Sequence, residues 1–147
     1  MRHDVDWEDQ IDLVALLLDD MGYAVREFTD ADDCVDLQTK EVHIDSRPHP
    51  ETRFYTLLHE LGHVLLFQDS EDFEADHPMY VNSPTTSGDG RTQRSKAYRV
   101  CLLSEEIEAW RLGRRRALEE GLHINSKKYN RHMTDALMGY INWVADK

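Results

Sequence analysis

Phe54-Tyr55-Thr56-Leu57-Leu58-His59-Glu60-Leu61-Gly62-His63-Val64-Leu65-Leu66-Phe67 decides the fold. The stretch reads as a helix, and two His four residues apart lie about one turn apart on one helix face. Both imidazoles can then reach a single ion. Glu60 sits beside them, placed to act on a water rather than to bind the ion. This is the zinc-hydrolase arrangement, with the Glu as general base. Leu57, Leu58, Leu61, Val64 and Leu65 give the helix an apolar face, so the His pair sits partly in the core. Buried imidazoles need partners, and a metal supplies one. The competing reading is a buried helix that happens to carry two His.

Upstream, Ser46-Arg47-Pro48-His49-Pro50 breaks regular structure, because each proline disfavours helix in the residue before it. Glu51 and Thr52 then begin the helix, which runs to about Gln68; His49 reads as a solvated loop residue, with approach to the site as the alternative. Before the break, Val35 and Leu37 alternate with Asp36 and Gln38, and Val42 and Ile44 alternate with His43 and Asp45. A period of two predicts strands, joined near Thr39-Lys40. Tyr23 to Phe28 adds a short strand, and Thr29 to Asp33 is a polar turn. The expected sheet is antiparallel, with about three strands. The first helix runs from Asp6 to Met21, with Trp7, Ile11, Val14, Leu17 and Leu18 at spacings of three and four. Asp6, Glu8 and Asp9 suit its N-terminus, and Gly22 is a natural stop.

Downstream, residues 69–94 are acidic and then rich in turn formers, which predicts a long loop, mobile at least over 82–92. Such a loop is often a lid or recognition segment, and His77 and Tyr80 are candidates to stabilise a transition state from it. Simple disorder is the alternative. A second long helix spans Ser95 to about Glu120, with Gly121 as its stop. Ser126 starts a last helix, from Lys127 to about Val144, whose apolar face is Tyr129, Met133, Leu137, Tyr140, Ile141 and Val144.

The chain has 147 residues, 40% of them apolar, which suits a single α+β domain over 1–147 with a real core. It has no apolar run long enough for a membrane span, and its acidic first residues do not read as a secretory signal. Cys34 and Cys101 lack a CxxC partner and read as reduced, partly buried thiols of a cytoplasmic protein, with a zinc-ligand role for either as the alternative. The net charge of −12 is uneven: residues 1–80 hold 21 acids and 5 Lys or Arg, and residues 81–147 hold 8 and 12. Such a chain is a poor nucleic-acid binder. The cations Arg111, Arg114, Arg115, Arg116, Lys127, Lys128 and Arg131 could contact nucleic acid locally, but attraction between the two halves of one fold explains them more simply.

A catalytic zinc needs three protein ligands and an open position. The second long helix offers Glu105, Glu106 and Glu108. At about 100° per residue, Leu102, Leu103, Ala109, Trp110, Gly113 and Ala117 all fall within about 60° of Glu106. Glu106 thus lies at the centre of the inward face, Glu105 flanks it, and Glu108 points outward toward Arg111 or Arg115. A carboxylate inside an apolar stripe is costly unless paired or metal-bound. Glu106 is the expected third ligand, and an ion pair with Arg99 is the rival reading. The small Ala109 and Gly113 would allow close approach to the His helix.

Arg53 to His63, preceded by a strand hairpin and followed by Glu106-Ile107-Glu108-Ala109, resembles the ImmA/IrrE family of zinc metallopeptidases over roughly residues 5–120. The resemblance implies a minimal zincin-like fold of the gluzincin type, about four helices packed on a small sheet. It implies His59, His63 and Glu106 as zinc ligands and Glu60 as catalytic base. Characterised members act on regulatory proteins, including repressors of mobile elements, which points to a phage or prophage source. The sequence departs from the family pattern at Trp110-Arg111-Leu112-Gly113 and in the length and acidity of residues 70–95.

The expected function is therefore zinc-dependent hydrolysis of a protein or peptide substrate by metal-activated water. The alternative is a catalytically silent zinc-binding regulatory or interaction module.

Overall fold

The computed structural model describes residues 4–68 and 95–146. The expected loop at 69–94, with His77 and Tyr80, lies outside the described residues. Those described form α1 (Trp7–Asp20), β1 (Ala24–Phe28), β2 (Cys34–Asp36), β3 (Glu41–Asp45), α2 (Pro50–Gln68), α3 (Lys96–Glu119) and α4 (Ser126–Ala145). This is the expected α+β arrangement of four helices and a three-stranded sheet.

Helix ends follow the local chemistry. Asp6 caps α1 by accepting the Asp9 N–H at 3.0 Å. Ser95 caps α3 and Asn125 caps α4 in the same way. Gly22, at φ 89°, lets the chain turn back after α1, so that the Tyr23 N–H reaches the Leu18 carbonyl at 2.9 Å. Gly121, at φ 76°, does the same after α3.

The sheet is mixed, not antiparallel as expected. β3 is central, parallel to β1 (Val25 opposite Val42) and antiparallel to β2 (Cys34 opposite His43). Alternation shows which residues share a face, but it does not identify the neighbouring strand. β3 carries two fully buried residues, Val42 and Ile44, and takes the middle, while the largely exposed β1 takes an edge. The β2–β3 turn needs no glycine. The Asp36 carboxylate accepts the Gln38 and Thr39 N–H groups at 2.9 and 3.2 Å, and Lys40 takes the left-handed conformation at φ 58°.

α2 is the centre of the core. Phe54, Tyr55, Leu57, Leu58, Leu61 and Val64 are fully buried against α1, β3 and α3, with Val14, Leu18, Val42, Ile44 and Trp110 facing them. Burying each such side chain contributes about 1.5–3 kcal/mol. Two hydroxyls then fix α4. Tyr55 donates to Glu51 at 2.6 Å and accepts the Asn125 N–H at 3.0 Å; Tyr129 donates to the Trp110 carbonyl.

The crossing of α2 and α3 is unusually close. A Cβ at Gly62 would lie 1.7 Å from the Ala109 carbonyl oxygen, and one at Gly113 would lie 1.9 Å from that of Leu58. Only glycine fits at either position. Each helix supplies one of the two, and this approach brings the polar groups of α2 and α3 together.

Candidate metal centre

His59 and His63 come from consecutive turns of α2, and Glu106 reaches them from α3. His59 Nε2 lies 2.7 Å from Glu106 Oε2, and His63 Nε2 lies 3.2 Å from Glu106 Oε1. The two Nε2 atoms face each other at 3.1 Å. One ligand atom from each residue falls within 4.8 Å of the others. All three side chains are largely buried, at 12–16% exposure. Glu60 is 3% exposed and lines the same cavity of about 230 Å³.

The electrostatics follow from that crowding. Burial alone would lower the His63 pKa, but hydrogen bonds with Glu105 and Glu106 outweigh it and raise it. Burial alone would raise Glu106, but hydrogen bonds with His59 and His63 hold it down. Burial pushes Glu60 up, against the pull of His59 and His63. Two inward-facing imidazole nitrogens and a carboxylate compete for shared positive charge. A small divalent cation satisfies the same demand, and an N,N,O donor set suits zinc. The residues therefore fit a metal.

The flanking side chains hold this cluster. Trp110 stacks on the His59 ring, with centroids 4.4 Å apart and planes at 10°. Glu105, which helical geometry places on the flank, is 8% exposed and brings Oε1 to 3.5 Å from His63 Nδ1. Orientation of a ligating imidazole through its other nitrogen is common at metal sites. Arg99 does not pair with Glu106; it donates to the Trp143 and Asp146 carbonyls at 2.9 and 2.8 Å, at the end of α4. Glu108 pairs outward with Arg111 at 3.1 Å, as expected.

Sequence reasoning missed the carboxyl group and the phenol that two further residues bring to the cavity. Asp33 enters it from the start of β2, and Tyr140 enters from α4. In the sequence Tyr140 belongs to an apolar stripe. Burial, followed by the Glu106 charge, pushes its phenol pKa up to about 12. No local pattern marks either residue, because both arrive through tertiary packing. Cys34 is exposed at the cavity and Cys101 is buried; both are free thiols. Several of the cations weighed as a nucleic-acid surface have internal partners: Arg114 with Asn130, Arg116 with Glu120, and Lys128 with Glu51.

A sequence profile described as the IrrE N-terminal-like domain, a peptidase family, matches residues 9–102. The chain belongs to the ImmA/IrrE-like metallopeptidase family. The matched segment includes His59, Glu60 and His63 and ends four residues before Glu106. Searches of curated proteins and of solved structures give no match. Family membership supports a metallopeptidase, and a peptidase family implies a protein substrate. No helix among the described residues is long and apolar enough to cross a membrane.

Proposed function

We propose that the protein is a cytoplasmic zinc-dependent endopeptidase, with His59, His63 and Glu106 as zinc ligands and Glu60 as general base. The observation that carries this reading is the convergence of two imidazole nitrogens and the Glu106 carboxylate within 4.8 Å. When bound, the metal supplies Lewis-acid polarisation of a carbonyl and lowers the pKa of water. Glu60 removes the proton of the attacking water and passes it to the leaving amine. Its burial, at 3% exposure among the three candidate ligands, places the carboxylate at the site and out of bulk water. Glu105 and Trp110 keep the two imidazoles in place. The substrate is a protein or peptide, with regulatory proteins the first to test.

Metal analysis of wild type and Glu106→Ala side by side tests the ligand set. One zinc per chain is expected in wild type, with loss or weakening in the variant. Unchanged affinity would refute Glu106 as a ligand. Glu60→Gln should keep zinc and abolish hydrolysis, whereas a catalytically silent zinc module would function equally well with that substitution.

A further inference from the structure

Asp33 lines the cavity that holds His59, Glu60, His63 and Glu106. Its Oδ1 accepts the Asp45 N–H at 2.8 Å, which fixes the carboxyl group where β2 begins beside the end of β3. Among the described residues no Lys or Arg pairs with it. Burial and the charges of Asp45 and Asp32 raise its pKa, against the Asp45 N–H and the pull of His59. This wall of the cavity is therefore electronegative. A carboxylate that is already oriented and has no cationic partner is complementary to a cationic group brought by a ligand.

We propose that Asp33 is a specificity-determining residue that receives a Lys or Arg side chain next to the scissile bond, so that the substrate is a basic peptide segment. The assignment rests on the peptidase reading. The competing role for Asp33 is structural, limited to holding Asp45. Asp33→Asn separates the two, because asparagine keeps the accepting oxygen and removes the charge.

The probes are three peptide hydroxamates that differ in one side chain only: Lys, norleucine or Glu. Each is titrated by calorimetry into zinc-loaded wild type and zinc-loaded Asp33→Asn. In wild type the Lys compound should bind about fivefold more tightly than norleucine, the size of a partly exposed ion pair, and the Glu compound most weakly. In Asp33→Asn the Lys preference should vanish while norleucine affinity stays unchanged. Equal affinities in wild type, or a Lys preference that survives in Asp33→Asn, would overturn the assignment and leave the metal centre standing. A wild type that retains no zinc would overturn the metal centre and the assignment with it.

Discussion

Replacing Gly113 with Ala should separate α2 from α3 and dismantle the His59–His63–Glu106 cluster. The added Cβ would lie 1.9 Å from the Leu58 carbonyl oxygen, where ordinary contact begins at 3.4 Å. The helices must therefore part locally by about 1.5 Å, the difference between those two distances. The obstructing atom is backbone, so no rotamer change relieves it. Overpacking of this kind costs about 1–3 kcal/mol or more, against a gain of about 1 kcal/mol in helix propensity. Because the obstructing atom is backbone, the clash lies at the upper end of that range and wins, with a net loss of up to about 2 kcal/mol and a fall in Tm of up to roughly 8 °C. The metal should respond more sharply, because ligand distances tolerate only about 0.2 Å. Zinc affinity should drop at least about tenfold, measured by chelator competition. Gly139→Ala on α4 is the matched control. Nothing lies within 4 Å of its added Cβ, so propensity alone acts and stability should rise by up to about 1 kcal/mol. A Gly113→Ala protein with wild-type Tm and wild-type zinc affinity would refute the close-crossing argument.

Glu105→Ala should weaken zinc binding about 10- to 100-fold by freeing the His63 ring, with little change in fold by circular dichroism. Undiminished affinity would remove Glu105 from the site. Glu51 gives a pH-dependent prediction. Burial pulls its pKa up, but hydrogen bonds from Tyr55 and Lys128 outweigh burial and lower it below the ordinary 4.5. A carboxyl group with a depressed folded pKa stabilises above its unfolded pKa, and that contribution is lost as pH falls through the folded value. The fall in Tm on acidification below about pH 4.5 should therefore be shallower in Glu51→Gln, which itself costs about 1 kcal/mol at neutral pH, a modest figure because the Lys128 side chain is 55% exposed. Parallel acid curves for the two proteins would argue against this role.

The parts of the fold that were legible in the sequence were those governed by neighbours in the chain. Asp6, Gly22, Ser95 and Gly121 set helix ends through their own backbone and side-chain chemistry, so the ends fell within a residue or two of expectation. His59, Glu60 and His63 are tied by helical spacing. Glu106 was separated from Glu105 and Glu108 by rotation about the helix axis, and Arg99 proved to be engaged elsewhere. That rotation also hid Glu105. It assumes one inward direction, whereas α2 lies across α3 broadly enough to reach a residue about 100° from the centre. Strand order was illegible for a related reason. Val42 and Ile44 announce a buried face, but which edge β1 joins depends on the whole sheet. Asp33 and Tyr140 meet only after α4 and β2 have docked around α2.

The His59–Glu106 contact spans 47 positions of the chain. In the unfolded chain, an ion could still find His59 and His63 close together, but it would hold Glu106 only by closing that long loop. An ion held by all three side chains thus acts as a removable cross-link, favouring the folded state in proportion to its concentration over its dissociation constant. Chelation would then do more than silence chemistry. It would loosen the packing of α3 on α2, and the apo chain would expose a protease-sensitive seam between the two halves of the molecule.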